Sequence, residues 1–171
     1  MRKFFLKRKR KMKSQKDSSK VKVMQTVVAI IFDLEEKKPH EPKFLILKKQ
    51  GTWEGWQFVQ GEKEKEESYE EAVKREVKEE TGLDCTVIAH LKNIKGDYWF
   101  KWEGKLIHKF LHFFLVRADS KKKVKLSIEH SDFKWCGYEE ALKSIKYNKE
   151  QFKQAYKELK KILKQRTLQL Y

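Results

Sequence analysis

The segment GEKEKEESYEEAVKREVKEETGL, Gly61 to Leu83, constrains this chain most, because it reads as a helix whose apolar side carries glutamates. Ser68 with Glu71 three residues on forms a capping box, and Gly82 stands where a left-handed C-terminal cap belongs. The spacing therefore predicts a helix over Ser68 to Thr81. At about 100° per residue, with Tyr69 at zero, Ala72, Val73 and Val77 fall near roughly 300°, 40° and 80°, the arc that should face a core. On the same wheel Glu76 falls near ~340° and Glu80 near ~20°, inside that arc, with Glu79 at its edge near ~280°. Glu70, Glu71, Lys74 and Lys78 take the opposite side, an ordinary solvated face of mixed charge.

Carboxylates turned inward repel one another and lose hydration, a cost of several kcal/mol per ion unless a cation compensates. Arg75 alone does not balance three. A hard divalent cation would, because magnesium prefers carboxylate oxygens and keeps water and substrate phosphates in its remaining positions. Glu76, Glu79 and Glu80 have the i, i+3, i+4 relation that puts three side chains on one helical surface. Periodicity alone leaves two readings open, a metal site and an acidic interface or salt-bridge network.

These residues resemble the box of the Nudix hydrolases, G-x5-E-x7-R-E-U-x-E-E-x-G-U with U aliphatic. Gly61, Glu67, Arg75, Glu76, Val77, Glu79, Glu80, Gly82 and Leu83 fill every fixed position. The resemblance implies magnesium, with manganese as a substitute, held by Glu76, Glu79 and Glu80, with the Gly61 carbonyl as a further ligand. It implies a structural ion pair between Glu67 and Arg75. The fold implied is α/β, an α/β/α sandwich with a mixed central sheet in which the box forms loop, helix and loop. The activity implied is attack of water on a phosphorus of a nucleotide polyphosphate. Glu76 is the first candidate to take the water's proton. Glu129, beside His130 on a loop expected to close over the site, is the second, and a structural hydrogen-bonding role is the other reading of His130.

The tract LSIEHSDFKWCGYEEAL, Leu126 to Leu142, resembles one in asymmetrical diadenosine tetraphosphate hydrolases. In those relatives a lysine opens the preceding strand and an upstream aromatic stacks on adenine. Lys109 in IHKFLHFFLV matches the lysine, and Tyr98 and Phe100 are candidates for the stacking role, with hairpin packing as their other reading. Trp56 is a further candidate for substrate contact. Diadenosine tetraphosphate, cleaved to ATP and AMP, is the substrate this resemblance implies. WQFVQG, Trp56 to Gly61, departs from it, with Val59 and Gln60 where those hydrolases tend to have proline and lysine. Its W-Q-F and Q-G elements are similar instead to RNA 5′-pyrophosphohydrolases; a (d)NTP pyrophosphatase is another alternative. A reading of a different class is a non-catalytic Nudix-fold RNA-binding module, in which the repulsion among the glutamates would go uncompensated.

The rest of the chain supplies the scaffold. Short β-branched and aromatic runs predict strands at Val23 to Asp33, Lys43 to Lys49, Thr86 to Ile94 and Lys105 to Arg117. Glu103-Gly104 reads as a hairpin turn joining Tyr98–Trp102 to the last of these, and Lys37 to Pro42 and Gly51 to Gly55 read as turns. A second helix is expected over Lys149 to Lys164, where Phe152, Ala155, Tyr156, Leu159, Ile162 and Leu163 make an apolar stripe suited to core packing, beside a Lys-rich outer face.

At 171 residues and 39% hydrophobic, the chain is long enough for one compact domain. That domain is expected over 21 to 171. The net charge of +16 is uneven, because residues 1 to 20 hold ten Lys or Arg against Asp17 alone. This segment reads as a disordered basic arm, open to two readings, a solvated tail or an electrostatic hand for RNA or an anionic membrane. No apolar run approaches the ~18 residues of a membrane span. Cys85 and Cys136 lack metal-ligand spacing and read as free thiols of a cytoplasmic protein.

Overall fold

The computed structural model describes residues 21–169. The basic arm lies outside the described residues. The order of elements is β1 (Lys22–Glu35), β2 (Lys38–Lys49), β3 (Gly55–Gln57), β4 (Val59–Glu62), α1 (Tyr69–Thr81), β5 (Thr86–Trp102), β6 (Lys105–Arg117), β7 (His130–Cys136), α2 (Tyr138–Ser144) and α3 (Lys149–Leu168). All seven strands join one mixed sheet, in which β1 and β6 are parallel and the other pairs antiparallel.

Strand alternation makes this sheet two-sided. Along β1, Val27, Ala29 and Ile31 face α1 and pack with Val73 and Val77, while Val28, Ile30 and Phe32 face the opposite layer with Phe152 and Leu159 of α3. The central strand is thus buried on both faces, and the architecture is the α/β/α sandwich expected. The stripe of α3 seats Phe152 against Phe44 and Phe58, with ring centroids 5.0 and 4.9 Å apart. Truncating such a side chain to alanine costs about 3–5 kcal/mol.

The sheet is split along one edge of β1. β6 occupies the other edge from Lys22 to Phe32, so β2, which pairs with Ile31 onward, and β4, which pairs with Thr26 to Ala29, share this one. β2 in turn has β7 along its far edge and takes β3 from Leu47 onward on the edge it presents to β1. The strands β1 and β2 therefore diverge, and β3–Phe58–β4 crosses the wedge between them. This wedge positions the candidate site residues.

Three expectations are corrected. The turn placed at Lys37 to Pro42 is only Glu36-Lys37, and both prolines lie inside β2, where the ladder to β1 is irregular between Asp33 and Glu35 and a missing N–H costs nothing. Thr86–Ile94 and Tyr98–Trp102 are one strand, interrupted by a register shift between His90 and Lys95. His130 is the first residue of β7, held opposite Lys49, and is not on a closing loop. The Glu103-Gly104 turn has positive φ at both residues, 48° and 73°, the combination a two-residue hairpin of this twist requires.

Candidate active site

The ends of α1 form as the spacing predicts. Ser68 Oγ accepts from the Glu71 N–H at 3.1 Å, Glu71 Oε2 accepts from the Ser68 N–H at 2.7 Å, and Gly82 closes the helix at φ 72°. With these ends set and Ala72, Val73 and Val77 buried, the helical period turns Glu76 and Glu80 inward, to 8% and 7% exposure. Glu79 stays on the exposed rim.

Beneath the helix runs β4. A Cβ on Gly61 would lie 1.9 Å from the Glu76 carboxylate carbon, so the carboxylate fits there only over a glycine. Arg75 ties the loop to the helix. Its Nε and Nη2 donate to the two oxygens of Glu67 at 3.0 and 2.6 Å, Nη2 donates to the Glu62 carbonyl at 3.0 Å, and Nη1 donates to Glu76 at 2.7 Å and Glu79 at 3.3 Å. This bidentate hold keeps the Glu67 carboxyl at a pKa of about 2. Glu76 is raised instead, because burial outweighs its bond to Arg75.

Glu80 has no such relief. Its Oε2 is buried without a hydrogen-bond partner, and burial, with Glu76 next in size, pushes its pKa up to about 8. His130 Nε2 lies 3.8 Å away, too far for a hydrogen bond. The Gln60 amide donates to Gln57 Oε1 at 3.1 Å, which aims the Gln57 Nε2 at His130 Nε2, 3.3 Å off. That leaves the imidazole proton on Nδ1, toward Ser127 Oγ at 3.4 Å. Burial, then Lys49, lowers the His130 pKa, so at neutral pH it gives Glu80 no compensating charge. A buried, partnerless carboxylate oxygen beside a second carboxylate and the Gly61 backbone is a donor set that fits a hard divalent cation. Among the described residues no three acidic, cysteine or histidine side chains converge into a closed cage, consistent with Arg75 engaging Glu76 and Glu79.

Glu129 sits in the turn before β7. It pairs with Lys49, and the Gln50 N–H donates to its carbonyl at 3.0 Å. The Lys49 ammonium holds its pKa below the ordinary value.

On the α3 side of the sheet the wedge opens into a cleft of about 720 Å3. Tyr98, Phe100 and Lys109 line it together. Tyr98 stands opposite Lys109 across the β5–β6 ladder, and the ammonium lies 5.6 Å from its ring centre. Trp56 is not part of the cleft wall: it packs, partly buried, against the α2–α3 core with Lys134 over its ring. Sequence reasoning missed Trp53 and Tyr147, which form an edge-to-face pair at 5.5 Å on the cleft wall with Lys146 near both rings. Their only sequence signal is a large aromatic in a turn-rich segment, where packing alone does not call for one. Gln57 and Gln60 line the same cleft, so the chain Gln60–Gln57–His130 leads from it toward Glu80.

The family described as NUDIX domain matches residues 23–159. MutT4 of Mycobacterium tuberculosis is 42% identical over 62 residues, which cover 36% of this chain and 24% of that protein, so the match spans about a quarter of the relative's length. The structure of a Caenorhabditis elegans Ap4A hydrolase binary complex superposes with a TM-score of 0.58 at 22% identity, over 86% of this chain and 97% of that one, a likeness of fold. A MutT protein from Methanosarcina mazei Go1 gives a TM-score of 0.54 at 26% identity, over 80% and 96% of the two chains.

Proposed function

The chain belongs to the NUDIX-domain family of hydrolases acting on phosphorus-containing anhydrides, and on that footing we propose that it cleaves nucleotide polyphosphates with magnesium, diadenosine tetraphosphate first among them, to ATP and AMP. The observation that carries this reading is the orphaned, buried Oε2 of Glu80 beside a Glu76 carboxylate closed over Gly61. A fold that keeps repelling carboxylates this dry stores strain unless they have a cationic ligand, which argues against a non-catalytic module.

Glu76, Glu79, Glu80 and the Gly61 carbonyl would hold the cation, magnesium or in its place manganese. When bound, it would neutralise charge on the bridging phosphates and lower the pKa of water in contact with it. Arg75, anchored by Glu67, keeps the loop against the helix so that Gly61 and the glutamates stay in register. Of the two proton acceptors, Glu76 is the better base, because burial raises its pKa whereas Lys49 depresses that of Glu129. Lys109 would face the phosphate chain as a fixed charge, and Tyr98 and Phe100 offer a stacking wall for a base, with Trp53 and Tyr147 lining the same cleft.

The runner-up substrate is triphosphorylated RNA, favoured by Gln57 and Gln60 of WQFVQG standing in the cleft. The test incubates purified protein with magnesium, and separately with EDTA, on diadenosine tetraphosphate, nucleoside triphosphates, ADP-ribose and triphosphorylated RNA. Magnesium-dependent release of one ATP per AMP supports the reading. Equal release of two ADP sinks it, and preference for triphosphorylated RNA promotes the runner-up.

A further inference from the structure

β5 is the last strand of the sheet, so one of its edges is not covered by another strand. From Lys95 to Trp102 its ladder to β6 runs without a register shift and ends in the Glu103-Gly104 turn. A two-residue turn makes Trp102 and Lys105 a hydrogen-bonded pair, and the bonding alternates back along the strand. Tyr98 and Phe100 therefore spend their backbone groups on β6, whereas Lys95, Asp97, Trp99 and Lys101 point theirs outward. The Lys95 carbonyl confirms the phase, because it accepts from Gln151 Nε2 of α3 at 3.1 Å. This cap closes one end of the edge and the turn closes the other. Between them the N–H and C=O groups of Asp97, Trp99 and Lys101 meet no partner among the described residues.

Such an edge is a template for another strand, and chains that stay single usually blunt it with a proline, a bulge or an unopposed charge. Here both prolines are in β2, and the irregular part of β5 lies before Lys95. Large apolar side chains crowd the open stretch instead, with Trp99 52% and Trp102 56% exposed. Trp99 is already ordered: it stacks on His108 with centroids 3.9 Å apart and planes 17° off parallel, and His108 Nε2 lies 2.6 Å from Asp97 Oδ2. Little side-chain freedom is left to lose when the edge is covered.

Charge decides what fits. Only a register that sets outward residues opposite outward residues makes hydrogen bonds. An antiparallel second copy centred on Trp99 sets Asp97 opposite the partner's Lys101, and Lys101 opposite the partner's Asp97. Sliding that copy by two residues, the smallest step that keeps the bonds, sets Lys95 opposite the partner's Lys101 in one direction. In the other direction it sets Asp97 opposite the partner's Glu103. Both steps bring like charge against like. The edge is thus complementary to itself about Trp99 and to neither neighbouring register. The stretch Lys95 to Glu103 is also neutral, two lysines against Asp97 and Glu103, so the positive charge of the chain is not concentrated here.

We infer that two copies of this chain join by antiparallel pairing of β5 with β5 about a two-fold axis at Trp99, so that both sheets become one. Residues directly opposite in such a pair share a face, which puts the two clefts on the same side of the joined sheet. There the partner's Phe100 stands beside Tyr98, and the partner's Trp102 lies over Gly96, which presents no side chain of its own. Tyr98, Phe100, Trp102 and Gly96 all line the cleft, so each copy lengthens the aromatic wall of the other. The pairing rests on the edge and its charges and does not depend on the hydrolytic reading.

The test is sedimentation of the full chain from low to high micromolar concentration, with Asp97→Lys, Lys101→Asp and the double variant carrying both. The parent is expected to show a reversible equilibrium between monomer and dimer. Each single reversal turns two opposite-charge pairs into like-charge pairs and should weaken association by roughly 10-fold or more. The double variant should recover parental association, and mixing the two single variants should give a heterodimer where neither pairs with itself. Lys101 is exposed, so its reversal should leave the thermal midpoint close to that of the parent and separate loss of the dimer from loss of the fold. A parent that stays monomeric at the highest concentration overturns the pairing. So does a dimer that the single reversals leave intact, or one that neither the double variant nor the mixture restores.

Discussion

Glu76 lies so close over Gly61 that a single methyl group at that position would overlap its carboxylate, 1.9 Å from the carboxyl carbon. The contact fixes where the buried carboxylate can stand, and with it the position of the neighbouring Glu80 across one turn of helix. Gly61→Ala should therefore push Glu76 out of place. The expected outcome is a loss of hydrolysis of roughly 100-fold or more, the scale of a misplacement near 1 Å, with overpacking costing about 1–3 kcal/mol of stability. Steady-state kinetics at saturating magnesium beside a thermal melt will check it. An alanine variant with parental kcat would show that the glycine serves only the fold.

Glu80→Gln keeps the shape of the side chain and removes its charge. Hydrolysis should fall by at least about 100-fold, while the metal-free protein should become more stable, because its most strained carboxylate is gone. The midpoint in EDTA and the turnover in magnesium form the pair of readings. Parental turnover would move the metal site off this helix.

Stability of the metal-free protein should depend on pH through Glu80. Its carboxyl is pushed up to about 8 in the folded chain, against an ordinary value of 4.5, so the folded state binds that proton more tightly than the unfolded one. The contribution is complete below about pH 4.5 and drains away as pH rises toward 8, by a few kcal/mol in all. Denaturant melts in EDTA from pH 5 to 8.5 should show the decline, and Glu80→Gln should flatten it. Glu67 acts in the opposite sense and lower: held to about 2 by Arg75, it contributes stability above 4.5 that is lost as pH falls toward 2.

Lys109→Ala removes a fixed positive charge from the cleft and should lower kcat/KM on diadenosine tetraphosphate by roughly 10- to 100-fold, a loss of a charge-assisted contact. Trp56→Phe, away from the cleft, should leave kinetics near the parental level. Reversal of that order would return Trp56 to the substrate site.

Removal of residues 1 to 20 should leave the thermal midpoint and kcat on a small dinucleotide almost unchanged, because the segment has no apolar pattern with which to join the core. Lost turnover on the dinucleotide would put the domain boundary upstream of Val21.

What the sequence alone determined is what depends on short-range periodicity. Ser68, Glu71 and Gly82 set the ends of α1, and the helical period then turned Glu76 and Glu80 toward the core, as the burial of both shows. The strands β1 and β6, from their β-branched and aromatic runs, and the Glu103-Gly104 turn were legible for the same reason, since each is encoded within a few residues. Only the tertiary structure decided the rest. The wedge between β1 and β2 exists because β2 and β4 share one edge of β1; it was not legible because β3 and β4 are too short to carry a period of their own and β7 finds β2 from the other end of the chain. That pairing puts His130 beside Glu80 without giving it a proton to share, turns Trp56 into the core and leaves Trp53 and Tyr147 to line the cleft. Pattern within a strand says that one residue faces opposite to the next; which face meets a helix, a cleft or open solvent is settled by long-range pairing and packing, which no local period records.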